Sequence, residues 1–272
     1  MPIIRLRLAA TLLAAVACVS ATPAALADGM PYPRGSVKDA PMVVPSAGPC
    51  YFRTDVGYSW SRDPDVRWTV TDPNTFLFVT DRVTKVSADN SWFGEVGLGC
   101  GSGPHGIRGE LIYGYHGKRN ISGEPGPWTV PPGVDPLHTA VTTHTLMFNA
   151  YYDLGRWMDR FVPYVGAGVG TAYNITDEVY FTGNPALINR IHGDERWSLA
   201  WSLMAGVGWQ VSERVVLDFG YRYLDMGKAE SGHVDNAGFW NPKVRLDDLT
   251  AHEFKFGLRF ALGGAPCCAF LK

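Results

Sequence analysis

Polar and apolar residues alternate along most of the chain after residue 50. In 251–262, AHEFKFGLRFAL, one parity carries His252, Phe254, Phe256, Leu258, Phe260 and Leu262, and the other Glu253, Lys255, Gly257, Arg259 and Ala261. The stretch 213–224 divides the same way, with Val215, Leu217, Phe219, Tyr221 and Tyr223 against Val216, Asp218, Gly220, Arg222 and Leu224. In 50–60 the division is Phe52, Thr54, Val56, Tyr58 and Trp60 against Arg53, Asp55, Gly57 and Ser59. A period of two puts successive side chains on opposite faces of a strand. Eight segments show it: 50–60, 92–101, 106–116, 142–153, 161–173, 197–209, 213–224 and 251–262. Each runs about 10–13 residues, the length a tilted strand needs to cross a bilayer.

The gaps between segments alternate long and short: 61–91, 102–105, 117–141, 154–160, 174–196, 210–212 and 225–250. Tight turns at one end and long loops at the other mark a meander of antiparallel strands through an outer membrane, and the even count puts both ends of the barrel on the periplasmic side. The pattern predicts an all-β fold, an eight-stranded antiparallel up-and-down transmembrane β-barrel over 50–262. Helical periodicity is not seen in this part of the chain.

The glycines of 161–173, FVPYVGAGVGTAY, could suggest a phosphate-cradling loop. A dinucleotide fingerprint needs G-x-G-x-x-G between a strand and a helix. Gly166, Gly168 and Gly170 are instead spaced by two, on one face with Tyr164. They read as the small-residue face of a strand.

The bulky apolar face is too large for the interior of eight strands, which side chains fill completely. It is assigned to lipid, and the charged face to the lumen. Aromatic residues gather at strand ends, with Trp60, Trp92, Tyr115, Tyr173, Trp197 and Tyr223 outside and Phe52, Tyr152, Phe161, Trp209 and Phe260 on the periplasmic side. Two such girdles mark the membrane interfaces. The lumen then holds Arg53, Arg108, Arg222, Lys255 and Arg259 with Asp55, Glu95, Glu110, Asp218 and Glu253, five of each sign. A balanced set can pair internally, as buried charges must. Charged side chains crossing so narrow a lumen argue against a wide channel.

The 272-residue chain opens with Arg5 and Arg7, an apolar run from Leu8 to Val19, and Ala25-Leu26-Ala27. This reads as a secretory signal peptide over 1–27, cut before Asp28. Ala15, where a lipoprotein signal has Leu, argues against lipidation at Cys18. A Pro-rich periplasmic lead-in follows over 28–49, and a periplasmic tail is expected over 263–272. A net charge of −2 gives no reason to expect a nucleic-acid partner.

Export places the remaining cysteines in an oxidising compartment. The hairpin of the first two strands brings Cys50 and Cys100 to one rim, so a disulfide between them is expected. Strand eight ends on that rim too, so Cys267 or Cys268 could reach Cys50 instead. The seven histidines are scattered, without H-E-x-x-H or another metal spacing. No catalytic, metal or cofactor site is assigned. His252, on the lipid face, leaves open the weaker reading of a lipid A-modifying enzyme.

The segments YFRTDVGYSW, PYVGAGVGTAY, DFGYRYLDMG and EFKFGLRFAL resemble the small outer-membrane β-barrel proteins of Gram-negative bacteria, the OmpA-transmembrane-domain and opacity-protein superfamily with its "porin family" surface antigens. The likeness covers roughly 50–262, and Asp218–Gly227 is its most specific piece. It implies a place in the cell outer membrane, with outer-membrane lipid and lipopolysaccharide as surroundings. Lys255, Gly257, Phe260 and Leu262 match the signal read by the barrel-assembly machinery, although this chain runs ten residues further than relatives usually do. The family so resembled includes structural and surface-antigen barrels, adhesins and haem-binding surface proteins, and the resemblance does not choose among them; the role expected here is structural or surface-antigenic without enzymatic activity, and the alternative is adhesion or haem binding through the outer loops. Those loops hold Trp68, Phe76, Phe78, Trp128, Tyr180, Phe181, Phe239 and Trp240, which could meet a host or matrix ligand or simply pack together.

Overall fold

Two-faced strands in lipid can satisfy their backbone only by closing into a ring, and these strands do. The computed structural model describes residues 47–71, 78–101, 105–124, 136–182, 190–232 and 243–263. The expected signal peptide, most of the lead-in, nearly all of the tail with Cys267 and Cys268, and Phe76, Trp128, Phe239 and Trp240 lie outside the described residues, as does the side chain of Phe78.

In chain order the strands are β1 (Ala47–Ser61), β2 (Asp65–Thr71), β3 (Phe78–Arg82), β4 (Thr84–Ala88), β5 (Ser91–Gly101), β6 (His105–Glu124), β7 (Leu137–Leu154), β8 (Phe161–Thr176), β9 (Val179–Phe181), β10 (Arg190–Ile191), β11 (Asp194–Gln210), β12 (Val215–Asp225), β13 (Ala229–Glu230), β14 (Lys243–Asp247) and β15 (Thr250–Gly263). Eight form the wall, in the order β1-β5-β6-β7-β8-β11-β12-β15, and β1 closes the ring by pairing with both β5 and β15. Every pairing around the wall is antiparallel.

Side-chain parity follows the sequence. Val56, Trp60, Leu203, Phe219, Phe254 and Phe256 face outward, exposed; Arg53, Asp55, Ser202, Asp218, Arg222 and Glu253 are buried inside. Interior side chains need room at this curvature, and glycine supplies it. A side-chain carbon at Gly166 would strike the ring of Tyr151, and one at Gly206 the hydroxyl of Tyr164.

The outer end departs from the sequence reading. The stretches read as loops, 61–91, 117–141, 174–196 and 225–250, contain much of the remaining strand. β6 has 20 residues and β7 has 18, well beyond the ~9–11 a membrane requires. Their extra length carries β4 on β6 and β9 with β10 on β7. A second sheet, in the order β13-β14-β2-β3, completes the cap. Its Val66, Val244 and Leu246 share one buried apolar cluster with Val141, Met147, Ala172, Ala200, Leu224 and Ala251 of the wall. Trp68 of β2 meets Phe181 of β9 edge to face at 5.2 Å. The cap sheet therefore lies across the barrel mouth with its apolar side down.

Toward its outer end the interior becomes largely apolar, with Arg119, Thr143 and Asn174 buried beneath the cluster. The cause is solvent: above the membrane the wall stands in water, so the apolar face turns inward as in any soluble sheet.

Cys50 and Cys100 are direct cross-strand partners, and their sulfurs are bonded. The bond closes a loop with a sequence separation of 50. Replacing both cysteines with serine should lower stability in lipid vesicles by ~2–4 kcal/mol. Non-reducing peptide mapping checks the pairing, and Cys50 linked to the tail would contradict it.

Candidate functional site

The feature richest in chemistry is the lumen. All ten charges assigned to it face inward, held there by strand parity on β1, β5, β6, β12 and β15. They form two levels. In the inner level Arg53 reaches Asp55 at 2.6 Å, Glu110 at 3.0 Å and Asp218 at 3.4 Å. Arg108 bridges Glu110 at 2.6 Å and Asp153 at 2.9 Å, and Arg259 holds Asp218 at 2.8 Å. Tyr51 donates to Glu110 at 2.5 Å, and Tyr164 donates to Asp218. The Arg108 guanidinium also lies 4.0 Å from the ring centre of Tyr151 and 4.6 Å from that of Tyr164, a favourable placement for a desolvated cation.

In the middle level Arg222 reaches Glu95 at 2.7 Å and Glu253 at 2.5 Å, while Lys255 lies 3.7 Å from Glu95 and His116 3.2 Å from Glu253. Arg222 and Glu253 are direct partners in the β12–β15 register. The Arg222–Glu95 pair spans the lumen, because β12 and β5 are separated around the wall by β15 and β1.

Asp153, Arg119 and His116 join the network without having been singled out from the sequence. Asp153 ends the predicted strand 142–153 on its inward parity, so its role was legible. Arg119 was not. His116 pairs with Thr143, and Arg119 with Val141. Three steps on β6 thus match two on β7. This bulge lets two residues of opposite parity both point inward, as bulges do. With Arg119 and Asp153 counted, six strong cations balance six carboxylates among the described lumen residues.

Arg119 differs from the other cations. Its guanidinium donates to Thr143 Oγ1 at 3.2 Å and lies 3.2 Å from the sulfur of Met226. No carboxylate forms an ion pair with it among the described residues. Asn174 fixes the Met226 turn by donating to the carbonyls of Met226 and Lys228, each at 2.9 Å. This junction adjoins the apolar cluster of the cap, to which Met226 belongs, and Arg119, Thr143, Asn174 and Met226 are all buried in it.

The remaining assigned positions lie as follows. Lys255 and Gly257 of the proposed assembly signal point inward, and Phe260 and Leu262 outward. His252 points outward, and its Nδ1 lies 2.7 Å from the Tyr221 hydroxyl. On the cap, Glu230 is buried beneath Arg196, Lys243 and Arg245. Burial pushes its carboxyl up, but these cations outweigh that and hold it below the ordinary glutamate value.

A closed eight-stranded ring with a greasy outside and an ion-paired inside is an outer-membrane barrel of a Gram-negative cell envelope. The chain belongs to the outer membrane protein beta-barrel domain family, whose pattern matches residues 10–261. It is 26% identical over 252 residues to an uncharacterised protein of Brucella suis biovar 1, covering 81% of this chain and 87% of that one. A Rickettsia bellii protein provisionally named an adhesin is 26% identical over 181 residues, 65% of this chain and 77% of its own. The crystal structure of the outer membrane protein OprG from Pseudomonas aeruginosa aligns over 80% of this chain and 98% of its own, with 18% identity and a TM-score of 0.49.

Two expectations follow for stability. Arg222→Met strands two carboxylates and should cost ~3–5 kcal/mol, whereas Arg119→Met strands none and should be neutral or slightly stabilising. Urea unfolding from vesicles compares them, and adding Glu253→Gln to Arg222→Met should recover part of the loss. The second concerns pH. A carboxyl depressed by folding contributes stability above its unfolded pKa, and this is lost as pH falls through the folded value. The cap should therefore loosen as the medium drops below about pH 4, reported by Trp68 fluorescence, and Glu230→Gln should flatten that response.

Proposed function

We propose that the protein is a structural, non-enzymatic barrel that displays its folded outer cap as a surface antigen. The observation that supports this reading is how densely the described side chains fill the lumen. Arg119 on β6 meets Met226, just past β12, from the opposite side of the ring, with the apolar cluster above and two levels of ion pairs below. A lumen so filled favours mechanical and display roles over passage of solutes. The lumen carboxylates are engaged by cations, which supports structural use over acid–base chemistry. Outer-membrane lipid and lipopolysaccharide would surround the apolar band, and the barrel-assembly machinery would read the last strand.

Adhesion is the second reading, favoured by the name of the Rickettsia bellii relative. Trp68 and Phe181 support it little, since they pack against each other inside the cap. An adhesive contact would have to use the cap's outer side. Planar-bilayer recording tests the main reading: the refolded protein should show no stepwise conductance, and a steady open channel in the unmodified protein would refute it.

A further inference from the structure

Tyr180, one of the aromatic residues of the outer stretches, lines a cavity of about 440 Å3 at the outer end of the wall. The floor is the outward side of β6 and β7, where Asn120 stands opposite Ala140 and Ser122 opposite His138. Their inward neighbours Ile121 and Leu137 are buried in the cap cluster, so the cavity opens sideways from the barrel. On one flank Asp89 donates its backbone N–H to the Asn120 carbonyl at 2.8 Å. On the other flank lies the turn from β8 to β9, with Asp177 and Glu178. Lys118 of β6 reaches across β7 to Asp177 at 2.6 Å, beside the small side chain of Ala140.

Two kinds of surface meet here. His138 and Tyr180 are partners in the register and stack, with ring centres 5.3 Å apart and planes 22° from parallel. Tyr180 is 46% exposed, so this aromatic pair offers an accessible apolar flank. The rest is polar. Asn120 donates its amide to Asp89 Oδ2 at 2.9 Å. Asp89 Oδ1, Asn120 Oδ1 and the Ser122 hydroxyl are without a partner among the described residues. Lys118 has donors beyond the one it gives Asp177. Charges of both signs thus line the cavity: a net anion meets Asp89 and Glu178, and a net cation meets Lys118.

We infer that this cavity binds a neutral sugar ring from the saccharide part of the lipopolysaccharide beside the barrel. A hydroxyl both donates and accepts, so adjacent sugar hydroxyls can donate to Asp89 and Asn120 while accepting from Lys118 or Ser122. The C–H face of the same ring can lie on the exposed aromatic flank. The volume falls within the ~300–1,000 Å3 of small-ligand sites. Height selects the source. Asp177 lies just beyond Tyr173 of the outer girdle, on a strand end. At ~3.3 Å of rise per residue and a tilt of ~40°, the cavity begins roughly 10 Å above the girdle. Sugars of the outer leaflet occupy that layer, against the side of the wall. The inference rests on the reading that lipopolysaccharide surrounds the barrel only for this choice of source.

The probes are maltose and lactose at millimolar concentration, followed by saturation-transfer NMR with the full chain refolded in lipid discs. At least one should bind, with saturation strongest on the C–H protons of one ring face, and glucuronate should bind more weakly. Tyr180→Ala should weaken binding by about tenfold or more, and Tyr180→Trp should retain it. Asn120→Leu should also weaken it, and Lys85→Gln should leave it unchanged. No binding of either disaccharide, preference for glucuronate, or equal binding by Tyr180→Ala would each overturn the site. For the source, lipopolysaccharide that carries core hexoses should compete with the disaccharide, and lipopolysaccharide truncated to its innermost sugars should not. Competition by both or by neither would overturn the assignment to lipopolysaccharide. Energy transfer from Trp92 and Trp197 to a labelled truncated lipopolysaccharide reports separately whether that lipid surrounds the wall, so failure of the cavity and failure of that reading are told apart.

Discussion

Everything in this barrel descends from one constraint. In hydrocarbon there is no water to hydrogen-bond a peptide group, so each N–H and C=O of a spanning strand must find another strand. Closure of β1 against β15 is the only way the two end strands can meet that demand. Once the ring is closed, side chains have two destinations. Those on one parity meet lipid and are apolar; those on the other meet seven neighbouring strands at close range and must be small or mutually satisfied. The alternation in the sequence is the trace of that division.

The lumen shows the second consequence. Asp55 and Glu95 sit directly opposite on neighbouring strands, an arrangement that would repel if left alone. Arg53 engages the first, and Arg222 with Lys255 the second. Each guanidinium reaches more than one carboxylate, so the pairs form a mesh tying non-adjacent strands together. Such a mesh is weak evidence for added stability, because desolvation offsets much of the attraction. Its clearer effect is on alternatives: a slipped register would move these charges toward lipid and strand their partners.

How much of this could be read from the sequence depended on where solvent stood. Within the bilayer the bulky face is outward and unmistakable, and the eight spanning segments and ten lumen charges follow from parity alone. Above the bilayer the same strands continue with the apolar face inward. Leu137, Val141 and Ile121 are buried in the cap cluster, yet they lie in stretches that read as loops because Gly, Pro and polar residues surround them. Arg119 was hidden for another reason. The bulge after His116 resets parity, and no simple period carries across a bulge.

The inversion of parity at the outer interface also explains why the protein has a cap at all. A barrel ending at the interface would present charged lumen groups directly to water, which would solvate the ion pairs individually and loosen the mesh. Extending β6 and β7 beyond the membrane creates a second interior, lined by Ile121, Leu137, Val141 and Val179. Apolar wall facing water must be covered, and the sheet built from β2, β3, β13 and β14 covers it. That sheet in turn has two faces, and its apolar one is committed to the mouth. Its other face is therefore free to take any composition that water tolerates. The arginines and lysines described there are not demanded by the fold, so selection could act on that face without disturbing the barrel beneath.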